Sequence, residues 1–115
     1  MRNYRLQGAA LLALSVLVPI TAHAWGGDAA AGKEKATVCA GCHGLDGNST
    51  VGANPRLAGQ YESYLFHALK QYKNGQRQSM LMAGMVANLS DQDLKDLAAW
   101  YASQRGDTLS VLPEE

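Results

Sequence analysis

Much is missing from this 115-residue sequence. Ten basic residues balance ten acidic ones, so the chain lacks the clustered positive charge of a nucleic-acid binder. Only two cysteines are present, too few for a disulfide framework. Aromatic residues are scarce, with one Phe, two Trp and five Tyr, which leaves a thin core for a domain of this size unless something else fills it. No stretch alternates convincingly as a strand, and internal repeats and low-complexity blocks are absent. The length allows one domain.

The first 24 residues read as a secretory signal. Arg2 and Arg5 make a positive start, the apolar run GAALLALSVLV follows, Pro19 breaks it, and Ala22-His23-Ala24 offers a cleavage site. The run is well short of the roughly 20 apolar residues that span a bilayer. We therefore expect cleavage after Ala24, export to the periplasm and no stable membrane insertion. The domain then occupies residues 25–115, with a net charge of −2.

Three helices are predicted. The first covers about residues 28–39, with Asp28 as N-cap. The second covers about residues 60–74, where Tyr61, Tyr64, Leu65, Ala68, Leu69 and Tyr72 recur at helical spacing before Gly75. The third follows Ser90, buries Leu94, Leu97, Ala98 and Tyr101, and is closed by Gly106. Residues 44–59 and 76–89 read as long loops. The expected fold is all-α, and loops this long in so small a domain need an object to pack against.

That object is indicated by Cys39-Ala40-Gly41-Cys42-His43. C-x-x-C-H is the attachment signature of c-type haem: the two thiols reach neighbouring vinyl groups, and the adjacent imidazole lies under the iron. Competing readings are weaker. A thioredoxin-type dithiol needs a strand–helix sandwich. Outside the pentad, a closed zinc site finds only His67 in the exported chain. A Cys39–Cys42 disulfide closes too small a loop to add much stability. On the other face of the iron, Met80, Met82, Met85 and His67 are all candidates, and composition does not choose among the methionines.

Together, GDAAAGKEKATVCAGCHGLDGNS, NPRLAGQY and MLMAGMVANLSDQDLKDLAAWYASQ resemble class I cytochrome c. The resemblance is to the small monohaem periplasmic cytochromes of bacteria and to one half of the related dihaem proteins. It implies a small cytochrome c fold around one covalently attached haem c and its iron. Cys39 and Cys42 form the thioethers and His43 is the proximal ligand. In the relatives the distal methionine stands eight residues before the serine that caps the last helix, which selects Met82 and leaves Met80 and Met85 as packing residues against the ring. Pro55 matches a proline whose carbonyl accepts the imidazole N–H, and Arg56 is placed to pair with a haem propionate. Gly32 lets the first and last helices cross near Trp100 and Tyr101, while Lys35 stands where some relatives have an aromatic.

The implied function is one-electron transfer, without enzymatic activity, by a monomer. Its partners would be redox proteins, either a membrane oxidase or reductase or a dehydrogenase. An alternative is the electron-accepting haem subunit of a dehydrogenase complex, such as a sulfide-oxidising flavoprotein. A peroxidase or gas-binding protein requires an open iron and a catalytic base, for which only His67 is on offer. Lys70, Lys73 and Arg77 lie near the end of the second helix and Asp91, Asp93 and Asp96 near the start of the last. This pattern reads as helix-end charge complementarity, with steering of a partner as the rival interpretation.

Overall fold

A computed structural model describes residues 26–106. The expected signal segment, Trp25 and the last nine residues lie outside that range. Within it the chain forms five helices: α1 (Ala29–Lys35), α2 (Thr37–His43), α3 (Glu62–Lys73), α4 (Met80–Val86) and α5 (Asp91–Ala102). There are no strands among the described residues. The all-α expectation holds, but its three-helix outline needs three corrections.

The first helix is two. Asp28 caps α1 as expected, its carboxylate accepting from the Ala30 and Ala31 N–H groups. At the fully buried Ala36 the chain makes a tight turn, with Cys39 N–H donating to its carbonyl, and α2 then carries the C-x-x-C-H residues to His43. Helical structure therefore extends through the motif rather than stopping at Cys39.

The second correction is α4, which lies in the segment read as a loop. The Ser79 hydroxyl caps it by accepting from Met82 N–H at 3.2 Å. Third, α5 ends at Ala102, earlier than Gly106 implied. Gly106 serves a close approach instead: a Cβ there would stand 2.6 Å from the Ala58 carbonyl oxygen.

Helix α5 organises the domain, packing against α1 on one side and α3 on the other, while α4 packs on α3. A capping box starts it, with Ser90 and Asp93 exchanging hydrogen bonds. Its predicted stripe of Leu94, Leu97, Ala98 and Tyr101 is buried. At the α1–α5 crossing Gly32 is obligatory, because a Cβ there would lie 1.9 Å from Asp96 O and 2.8 Å from Trp100 Cβ.

The same crossing explains Lys35. Its ammonium bonds Asp93 Oδ1 at 2.8 Å and Asp96 Oδ2. The buried Asp96 also accepts from Asp28 N–H and Gln92 Nε2, each at 2.8 Å. Burial alone would raise the Asp96 pKa, but these partners outweigh it and hold the carboxyl below its usual value. An ion pair thus clasps the crossing of α1 and α5. Between α3 and α5, Lys70 Nζ stands 2.8 Å from Asp91 Oδ1, a helix-end pairing of the kind read from the sequence.

Candidate haem site

A cavity of about 460 Å³ opens between α2, α3, α4, α5 and the loop after α2. That volume is within the ~300–1,000 Å³ typical of small-molecule and cofactor sites. Its wall is mostly apolar, including Leu57, Leu65, Leu69, Val86, Leu89 and Leu97. Of the predicted α3 stripe, Tyr64, Leu65, Ala68, Leu69 and Tyr72 all face this space. Tyr61 does not: it is exposed and stands at the N-cap of the helix.

One side of the cavity is built by α2 and its following loop. Cys39, Cys42 and His43 all line it. His43 is buried, and its Nδ1 lies 2.8 Å from the Pro55 carbonyl oxygen. A carbonyl only accepts, so Nδ1 donates in this contact, and in the neutral imidazole that tautomer leaves the lone pair on Nε2. No buried side-chain nitrogen or oxygen among the described residues lacks a partner, and Nε2 has none from the protein, so it is open to the cavity.

The loop that presents Pro55 is tied down from several directions. Buried Ser49 directs its hydroxyl to the Cys42 carbonyl at 3.1 Å and accepts from Val51 N–H. Arg56 Nε donates to the Ser49 carbonyl at 3.1 Å. Tyr101 Oη donates to Gly44 O, next to His43, and Trp100 Nε1 donates to Leu45 O at 2.8 Å. Gly47, at φ +78°, is pressed between Ala58 and the Tyr101 ring. Burial, with the nearby Cys39 and Asp46 charges, raises the Tyr101 pKa, so it stays a neutral donor. Burial and the neighbouring Cys42 also push the Cys39 thiol up.

A further part of the wall is supplied by α4 and the residues after it. Met82, Met85, Val86 and Leu89 recur at i, i+3, i+4 and i+7 and all line the cavity. Met80 is 97% exposed and absent from the wall. The packing role expected for it does not match its position, because the α4 helix turns it outward. Met82 is half-buried and Met85 lies at the 38%-exposed rim. His67 points to solvent, 3.2 Å from Gln71 Nε2, and is not part of the wall. Two arginines line the space, Arg56 and Arg77, and no Asp or Glu does.

The cavity therefore brings together two thiols, an imidazole, methionine thioethers and an apolar enclosure. That donor set suits a flat, largely hydrophobic group attached through sulfur and ligated by the imidazole. Sequence reasoning missed Ser49 and the wall role of Arg77. The α4 spacing and Ser79 as its cap were available signals, hidden by the polar residues around them.

Residues 29–104 match the family model described as Cytochrome c. The chain belongs to the cytochrome c family. Cytochrome c4 of Pseudomonas aeruginosa is 55% identical over 84 residues, covering 73% of this chain and 41% of that protein. Cytochrome c-554(548) of Halomonas halodenitrificans is 46% identical over 81 residues, 68% of this chain and 98% of that protein. Among solved structures, reduced recombinant cytochrome c4 from Pseudomonas stutzeri superposes with a TM-score of 0.67 at 47% identity, covering 70% of this chain and 47% of that one. The chain thus spans about half the length of the cytochromes c4 it matches. As in this family, the cofactor is covalently bound haem c with its iron.

Proposed function

We propose that the chain is a periplasmic one-electron carrier, held to its haem through Cys39 and Cys42, with His43 and Met82 as axial ligands. Haem supplies the one-electron ferric/ferrous couple, and the protein's part is to place, enclose and tune it. The observation that supports this reading is the cavity itself, whose lining includes both thiols, His43 and Met82.

Each residue has a distinct task. The Pro55 carbonyl fixes the imidazole plane and raises its basicity through Nδ1–H. Met82 offers a weak donor, which favours ferrous over ferric iron. Leu65 and Leu69 of α3, Leu97 of α5 and Leu89 after α4 exclude water, which makes the extra ferric charge costly and acts in the same direction. Cys42 is exposed and Cys39 half-buried, so a haem held through them would have its attachment edge near solvent, where an electron could leave. Arg56 stands at the wall with its terminal nitrogens free to meet a carboxylate. The chemistry is electron transfer, not turnover of a substrate, and the protein works as a monomer against redox partners: a membrane oxidase or reductase, or a dehydrogenase. Cleavage after Ala24 delivers it to the periplasm. No helix among the described residues is long and apolar enough to cross a membrane.

The test is the visible spectrum of protein matured in a periplasm competent for haem attachment. Sharp low-spin bands on reduction, with the far-red sulfur–iron band when oxidised, are expected. A high-spin spectrum that shifts with carbon monoxide would instead mean an open iron and an enzyme or sensor.

A further inference from the structure

The cavity wall carries two guanidinium groups and no carboxylate among the described residues. Arg77 is the less expected of the two. Its backbone N–H donates to Gln71 O at 3.0 Å, just beyond the end of α3. Its side chain lies over the Tyr72 ring, 5.0 Å from the centroid, and Nη1 meets Tyr64 Oη at 3.5 Å. Tyr64 and Tyr72 line the cavity as well.

Other cations of the domain have different positions. Lys35 and Lys70 are paired with aspartates, and Lys73 reaches the Leu89 carbonyl. Lys33 and Lys95 lie over the rings of Trp100 and Phe66. None of these five lines the cavity. Arg77 does, and its partners are neutral phenols and a ring face. Its guanidinium is exposed, rests against Tyr64 and Tyr72 and has no acidic partner, so its fork of N–H donors is open to a ligand. Such an arrangement suits a planar, bidentate acceptor, which is a carboxylate.

We propose that Arg77, braced by Tyr64 and Tyr72, binds a propionate carboxylate of the haem, so that anchoring does not rest on Arg56 alone. The inference depends on the haem reading above. Pairing holds the carboxylate ionised and neutralises a negative charge that would otherwise favour ferric iron. With the thiols and His43 committed to the haem, the titratable groups left on the wall are Arg56 and tyrosines 64, 72 and 101. None of these has an ordinary pKa in the range of pH 5 to 8.

The test uses the haem-loaded protein and its Arg77→Gln, Arg77→Lys and Arg105→Gln variants. Arg105 is exposed and absent from the cavity wall, so it controls for loss of surface charge. Spectroelectrochemistry across pH 5 to 8 reads the ferric/ferrous balance against a fixed mediator. Arg77→Gln is expected to shift that balance toward ferric by about fivefold at pH 7, the scale of a partly exposed ion pair. It should also introduce a pH dependence below pH 7 that the unmodified protein lacks, as the unpaired carboxylate takes up a proton. Arg77→Lys should show a smaller change in the same direction, and it is the deciding variant if Arg77→Gln loses its haem. A shift no larger than that of Arg105→Gln, or one with no new pH dependence, overturns the proposal and leaves Arg77 a surface cation. A wild-type protein without covalent haem overturns the electron-carrier reading too, and is recognised at once by its lack of colour.

Discussion

The two walls of the cavity are built in different ways. The wall made by α2 and its loop is fastened by directional bonds: His43 to Pro55, Ser49 to Cys42, Arg56 to Ser49, Tyr101 to Gly44 and Trp100 to Leu45. The wall made by α4 has a serine cap, one buried residue in Val86 and a bond from Lys73 to the Leu89 carbonyl. Beyond these it relies on apolar contact, and Met80 and Leu81 are largely exposed. The imidazole is therefore given its direction by a bond from the polypeptide itself. Met82, the proposed second ligand, is held by fewer directional bonds. Hydrogen bonds specify a direction, whereas apolar packing specifies mainly proximity.

This contrast can be tested by breaking each wall in turn. The largest effect is expected from Cys39→Ala with Cys42→Ala, which removes covalent attachment. The cavity then loses its filling, and far-UV circular dichroism should show a largely unfolded chain. Next is Gly32→Val at the α1–α5 crossing that supports the first wall. Its branched side chain would collide with the Asp96 carbonyl, costing about 3 kcal/mol or more in denaturant unfolding of the haem-loaded protein.

The α4 wall should respond differently. Met82→Ala is expected to abolish the far-red band and admit carbon monoxide while the helical content stays. Met85→Ala should keep the spectrum and cost about 1 kcal/mol, since the side chain stands at the rim. Reversed spectra for these two variants would assign the ligand to Met85.

Asp96→Asn probes the clasp at the crossing of α1 and α5, with an expected cost of about 2 kcal/mol at pH 7. The folded pKa of Asp96 lies below its ordinary 3.8. Its contribution is therefore complete above that pH and is lost as the pH falls through the folded value. Thermal unfolding of the variant should show less acid sensitivity below about pH 4 than that of the wild type. Lys35 is shifted the other way, chiefly by its bond to Asp93, so its contribution is kept below 10.5 and lost at higher pH. The smallest effect is expected for Ser49→Ala, about 1 kcal/mol with ligation intact.

The well-fastened wall was also the more legible one. The C-x-x-C-H spacing is fixed by the chemistry of attachment, and the His43–Pro55 bond expected from the family resemblance is present. The α3 and α5 stripes were readable because each buries a continuous face. The α4 wall was harder to read because two helical turns give too short a period, set among Gly, Asn and Gln. Met80 and Met82 are neighbours in sequence, and only the helix that separates their directions shows that one faces the cavity and the other solvent.

The sequence by itself determined the C-x-x-C-H spacing that marks a covalent haem and the all-α class, and its family resemblance pointed to the close helix crossing at Gly32. Each depends on spacing or residue size along a local stretch. Tertiary structure decided which methionines reach the cavity and that Lys35 pairs with Asp93 and Asp96. It also placed Arg77, unpaired with any acid, beside Tyr64 and Tyr72 at the cavity wall. These outcomes depend on how helices distant in sequence pack, and a side chain's environment is created only when that packing brings its neighbours to it.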